Sequence, residues 1–284
     1  MFKALHPGNV GIRAGMRECL QLAKNAGLEG MDLEIREADE LARANSVDYV
    51  RNLWSASGLK VGGWGLPLNW RDGEAEYDED LRNLPRLAKL AAELGCFRVT
   101  TWILPSGELP FKENWSLHVK CLRPVAEILK EYGHRFGLEF VGPATRRADG
   151  TFLFLHTMDA VLGLAAAIGT DNVGILFDVW HWYTSHATFD DVRKLDKDDI
   201  VYVHINDAPA GIERDDQQDL VRCLPGETGV IPAAELLQIL DDKGYDGPVV
   251  PEPLSERVYA MEPQEAANAT ARAMDKVWKL AGFE

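Results

Sequence analysis

RFGLEFVGPATRRADGTFLFLHTMDAVLGLAAAIGTDNVGILFDVW, residues 135–180, is one complete strand–helix–strand unit. RFGLEFV (135–141) and VGILFDVW (173–180) are short runs rich in Phe, Leu, Ile and Val. Between them TMDAVLGLAAAIG (157–169) carries apolar residues at helical spacing and stops at a glycine. Two strands joined through a helix lie parallel in one sheet. The same unit recurs in both directions along the chain. Upstream strand candidates are FKALH (2–6), GMDLEI (30–35), KVGGWGL (60–66) and FRVTTWI (97–103); downstream ones are IVYVHIN (200–206) and GPVVPEPL (247–254). Helical patterns at 16–27, 47–58, 80–95, 118–133, 232–244 and 263–282 fill the gaps, and a short one surrounds TFDDVRKL (188–195). Eight strands alternating with helices predict an α/β chain folded as a (β/α)8 barrel, one domain over residues 1–284, which suits the ~250 residues of such a barrel. No G-x-G-x-x-G follows the first strand, so an open nucleotide-binding sheet lacks its phosphate loop.

Composition narrows the function. The chain is 46% hydrophobic and 26% charged, enough apolar volume for a large core. Its 30 Lys and Arg against 45 Asp and Glu give a net charge of −15, which repels phosphate backbones and argues against nucleic acid as a partner. Cys19, Cys96, Cys121 and Cys223 show no C-x-x-C spacing and read as structural, reduced thiols. No window approaches the ~18 apolar residues of a membrane span, and the N-terminus lacks a signal-peptide pattern, so no membrane contact and a cytoplasmic location are expected.

Each of the last four strand candidates carries one metal-competent residue near its C-terminal end: Glu139, Asp178, His204 and Glu252. Barrel closure gathers those ends. Side chains alternate along a strand, so Glu139 points away from Leu138 and Phe140, and His204 away from Val203 and Ile205. With the apolar neighbours facing the helices, the polar residues face the barrel axis. Three converging carboxylates repel one another and are costly to bury without a cation. Three carboxylates and an imidazole form an oxygen-rich set suited to one divalent ion, Mn²⁺ first, with Mg²⁺ or Co²⁺ as alternatives.

GLEFVGP (137–143), LFDVWHW (176–182), VYVHINDAP (201–209), PGETGVI (225–231) and VVPEPL (249–254) resemble the blocks of the sugar phosphate isomerase/epimerase family, the xylose isomerase-like TIM barrels, with ketose 3-epimerases and inosose dehydratases as the nearest analogues. The resemblance is strong over 135–255 and limited to the βα rhythm before it. It implies that Glu139, Asp178, His204 and Glu252 are metal ligands and that His181 in Asp178-Val-Trp-His181 contacts a substrate oxygen; the sequence does not set the oligomeric state, although relatives often form dimers or tetramers, which leaves a homo-oligomer open. PGETG, where many relatives read PGEG, departs from the pattern at Thr228. Trp64, Trp102 and Trp180 lie at or near strand ends, where they can stack on a sugar, and His6 and Glu34 can reach its hydroxyls. Asp207 and Glu227 flank the long loop 207–230 and read as hydrogen-bonding or solvated residues, not catalytic ones.

The implied chemistry is proton abstraction beside a carbonyl in a keto-sugar or related polyol. The metal stabilises an enediolate, and Glu139 and Glu252 serve as proton acceptor and donor. Proton return gives epimerisation or isomerisation. Loss of a β-substituent would instead make the protein a lyase, a dehydratase or β-eliminase on a keto-inositol or 3-keto-glycoside. Endonuclease IV shares the barrel and the D-x-x-H element, but its additional histidines are missing from GLPLNW (65–70), WILPSG (102–107) and the loop after the seventh strand. A non-catalytic sugar-binding protein is the remaining alternative.

Overall fold

The computed structural model describes residues 1–71 and 73–283. Its barrel strands are β1 (Phe2–Leu5), β2 (Gly30–Met31), β3 in two halves (Lys60–Val61 and Trp64–Gly65), β4 (Arg98–Ile103), β5 (Arg135–Phe140), β6 (Val173–Asp178), β7 (Ile200–Ile205) and β8 (Pro248–Pro251). All neighbours are parallel, in the order β3 first half, β2, β1, β8, β7, β6, β5, β4, β3 second half. Both ends of the sheet therefore belong to one extended segment, and the sheet closes on itself as the (β/α)8 reading expected.

The break in β3 has a steric cause. A Cβ on Gly62 would lie 2.3 Å from Asp32 Oδ1, and one on Gly63 would lie 2.6 Å from the Tyr202 ring. Only glycine lets the backbone approach so closely. Gly63 N–H uses that approach to donate to Asp32 Oδ1 at 2.8 Å, and the Tyr202 hydroxyl donates to Asp32 Oδ2.

Helices Met16–Asn25, Val47–Ser57, Glu74–Glu93, Phe111–Glu131, Met158–Ile168, Ala233–Asp242 and Pro263–Leu280 occupy the expected crossovers. Two strand readings ran on into helices, and a third, 247–254, outlasted its strand, which ends at Pro251. The segment expected as strand 30–35 leaves the sheet after Met31. Ile35–Ala44 is then a helix, capped by Glu34, whose side chain accepts from Arg36 N–H at 3.2 Å. The strand expected over 173–180 ends at Asp178, which accepts from Trp180 N–H at 2.8 Å and so caps the helix Val179–Thr184. β-Branched and aromatic residues after Asp178 look like strand, but the cap bond turns the chain. No described helix is long and apolar enough to cross a membrane.

Two apolar layers result. The larger lies between sheet and helices. The smaller, Phe2, Ala4, Leu176, Tyr202 and Val250, fills the barrel interior. Burying each large apolar side chain stabilises the fold by ~1.5–3 kcal/mol. Below this inner layer Arg98 donates to Val201 O at 2.7 Å and Asp246 Oδ1 at 2.8 Å.

Candidate metal centre

Inward-facing positions on a strand recur every second residue. Leu176, Tyr202 and Val250 are inward, so the next inward residues are Asp178, His204 and Glu252. Glu139 stands beside Leu176 in the β5–β6 register. A bulge at Val201 opposes Ile200 and Tyr202 to the consecutive residues Ile175 and Leu176, and so sets His204 directly beside Asp178. Without that extra residue His204 would pair one position later.

The four side chains converge. One ligand atom from each lies within 4.8 Å of the others. His204 Nδ1 is the nitrogen that faces the cluster, 3.2 Å from Glu139 Oε1 and 3.4 Å from Glu252 Oε2. Asp178 is fully buried. Its Oδ1 accepts from Trp180 N–H and, at 2.9 Å, from Asn206 Nδ2, which leaves Oδ2 facing the cluster. Burial raises the pKa of Glu139; the hydrogen bond from His204 opposes this and the Glu252 charge adds to it. Burial acts the same way on Glu252, but the His204 and Arg222 charges outweigh it and hold that carboxyl well below its usual range. Burial acts to lower the pKa of His204, yet Glu252 and Glu139 raise it well above the imidazole value. Such a set of oxygens and one imidazole, drawn together and buried, fits a divalent cation.

His181 follows Asp178 on the helix that Asp178 caps. Gly142 N–H donates to its Nδ1 at 3.2 Å, which leaves the proton of the neutral ring on Nε2. That Nε2 points into the centre, 3.8 Å from Asp178 Oδ2 and 3.9 Å from Glu139 Oε1. A nitrogen that carries a proton cannot ligate a metal, but it can donate to a substrate oxygen.

Among the expected sugar-contacting residues, Trp102 stands beside Glu139 in the β4–β5 register and is 52% exposed in the barrel mouth. Trp64 does not reach the mouth: it is 1% exposed and packs edge-on against His134, with ring centroids 5.5 Å apart. Its position in the broken β3 turns it toward the helices. Trp180 is fully buried, with the Arg222 guanidinium 5.2 Å from its ring. His6 follows β1, where its Nδ1 accepts from Asn9 N–H at 3.2 Å, and Glu34 is an exposed helix cap.

The sequence reading missed Arg222. It lies on the loop after β7, 18 residues beyond His204, and no local motif announces it. Its Nη1 donates to Asp178 Oδ2 at 2.8 Å and to Glu252 Oε2 at 2.7 Å. Nη2 and Nε donate to Asp219 Oδ1 and Asp219 O. Asp207 anchors the loop: its carboxylate accepts four backbone N–H bonds, from Ala208, Thr228, Gly229 and Ile231. Glu227 pairs with Arg257 at 2.7 Å. Both therefore hold the loop by hydrogen bonds, as expected.

A family profile described as "Xylose isomerase-like TIM barrel" matches residues 20–277. The inosose isomerase of Halalkalibacterium halodurans is 27% identical over 247 residues, 82% of each chain. The solved structure of a xylose isomerase domain protein from Alicyclobacillus acidocaldarius is 33% identical, covers 99% of both chains and superposes with a TM-score of 0.90. That of an IolI protein with a bound zinc atom is 18% identical over 99% of both chains, with a TM-score of 0.80.

Proposed function

The chain belongs to the xylose isomerase-like TIM barrel family, and we propose that it is a metal-dependent isomerase or epimerase acting on a keto-inositol or a similar keto-sugar. The observation that carries the reading is the buried cluster of Glu139, Asp178, His204 and Glu252 with His181 Nε2 aimed into it. The inosose isomerase relative supports a cyclic polyol ketone as substrate. We take Mn²⁺ as the ion because oxygen donors dominate; the zinc in the IolI structure keeps Zn²⁺ as the competing choice.

When bound, the ion supplies Lewis-acid polarisation of a carbonyl and a neighbouring hydroxyl. The side chains do the rest. Glu139 on β5 and Glu252 after β8 are separated by β6 and β7, so they flank a substrate carbon from two sides. Arg222 donates to Glu252 and not to Glu139, which leaves Glu139 the freer of the two carboxylates to accept the proton on the carbon beside the carbonyl. His181 Nε2–H donates to a substrate oxygen and holds the ring in place. Trp102, exposed beside Glu139, offers an apolar wall to the ring's C–H face.

Proton exchange in D₂O, with Mn²⁺ and a panel of ketoses and keto-inositols, tests the proposal. Deuterium should enter at the carbon next to the carbonyl of at least one compound. Metal-loaded protein that exchanges no proton on any of them, while remaining folded, rules the reading out.

A further inference from the structure

We infer that Arg222 fixes the charge, and through it the valence, of the cation that the four-residue cluster accepts. The inference rests on the metal-binding reading above and adds a residue that the reading does not need.

Arg222 is buried, its side chain 2% exposed, and it is joined directly to two of the three cluster carboxylates. Its other donors are taken by Asp219, which also lies 3.6 Å from Arg146. Glu139, Asp178 and Glu252 contribute three negative charges, and a ligating His204 contributes none. Arg222 adds one positive charge, and the charge of its other partner, Asp219, is offset by Arg146, so the cluster stands at −3 + 1 = −2. A divalent ion brings that to zero. A monovalent ion leaves −1 and a trivalent one +1, and an unbalanced charge in a buried site is costly.

Arginine suits this role where lysine is weaker. A guanidinium does not lose its proton in a protein, so its charge is constant across the working pH range. Its flat fork reaches Asp178, Glu252 and Asp219 at once. The Asp207 anchor and the buried Gln217, whose Nε2 donates to Pro209 O and Ile212 O, hold the loop in shape. Arg222 is therefore part of the built site and not a surface side chain that happens to fold inward.

Removing this one charge should favour the ion of higher valence. Arg222→Met keeps the length and loses the charge, leaving the cluster at −3. Tri- and divalent ions differ by one unit of interaction with a charge only a few ångströms away, so the ratio of Tb³⁺ to Mn²⁺ affinity should move toward Tb³⁺ by at least ~10-fold. Arg222→Gln, which keeps hydrogen-bond donors but not the charge, should shift the ratio in the same direction. Arg222→Lys should stay within ~3-fold of the parent.

The test uses chelator-stripped protein, Tb³⁺ luminescence and Mn²⁺ electron paramagnetic resonance titrations, with circular dichroism to select folded variants. A common shift in Arg222→Met and Arg222→Gln, absent from Arg222→Lys, supports the assignment. An unchanged ratio in the folded Gln variant, or a shift in the Met variant alone, overturns it and leaves Arg222 as a loop fastener. Parent protein that binds neither ion overturns the metal reading itself, a result distinct from an unchanged ratio.

Discussion

The two arcs of the barrel mouth are built differently. From β5 to β8 the strands are unbroken apart from the Val201 bulge, each delivers one polar residue to the axis at or next to its end, and every such residue has identified partners. From β1 to β4 the strands are two to six residues long, one is broken by two glycines, and aromatic packing replaces ligands. Histidine shows the contrast most clearly. On the β5–β8 side, carboxylates raise the pKa of His204 against the effect of burial. Against the other side, burial lowers that of both His118, on the helix after β4, and His134, just before β5, whose rings pack against Trp70 and Trp64. The same residue type is a charged or ligating group in one arc and a neutral packing group in the other, and its neighbours alone decide which.

The largest effects should come from the polar arc. Glu139→Gln and Glu252→Gln keep size and lose the basic carboxylate, so at saturating Mn²⁺ each should lower turnover by ~10³-fold or more. His181→Ala should cost less, about 10²-fold, and leave metal content unchanged, because its Nε2–H is a donor. Steady-state rates measured alongside elemental analysis check all three. Full turnover in either metal-loaded glutamine variant, or loss of metal in His181→Ala, breaks the division of roles in this arc.

A pair of tryptophans sharpens the comparison from the aromatic arc. Trp64→Ala removes a buried side chain and should destabilise the fold by ~3–5 kcal/mol, with the KM of the folded protein unaltered. Trp102→Ala removes an exposed one. Its stability should stay within ~0.5 kcal/mol of the parent, while KM rises about 10-fold as the sugar loses its wall. Urea unfolding and saturation kinetics separate the two. An unchanged KM in Trp102→Ala would strip the aromatic arc of any part in binding.

Sequence served the two arcs unequally for the same physical reason. Alternation locates an inward residue when a strand is long enough to show it. FGLEF and VYVHI are, so the pattern of apolar neighbours alone places Glu139 and His204 on the axis. Asp178 ends its strand and Glu252 directly follows its own, and both were legible by the same rule. β2 is two residues long, so its parity could not be read; Glu34 proved to be a helix cap, and the buried carboxylate is Asp32. Trp64 follows the Gly62–Gly63 break, which resets the direction of the side chains behind it. Arg222 was hidden for another reason: a loop residue is placed by the fold of the loop, and the four bonds to Asp207 that set this one join positions up to 24 residues apart.

The smallest expected effect tests the neutral histidines, and His118 is the better probe because its shift is the larger. Its Nδ1 lies 2.8 Å from Asn114 O, its ring meets Trp70 edge-on with centroids 6.0 Å apart, and burial lowers its pKa from 6.5 to about 4. The unfolded chain therefore binds a proton at this residue between those two values and the folded chain does not. Stability that depends on neutral His118 is fully present above pH 6.5, falls as the pH drops through the window, and is gone below about pH 4. The loss can reach ~3 kcal/mol. His118→Gln cannot titrate and keeps a donor for Asn114 O, so its unfolding free energy should fall less steeply over that window and run parallel to the parent above pH 7. Urea unfolding at half-unit pH steps reads the difference directly. Parallel curves throughout would mean that the folded protein admits a charged imidazole at this position, and the aromatic arc would then be wetter than its packing indicates.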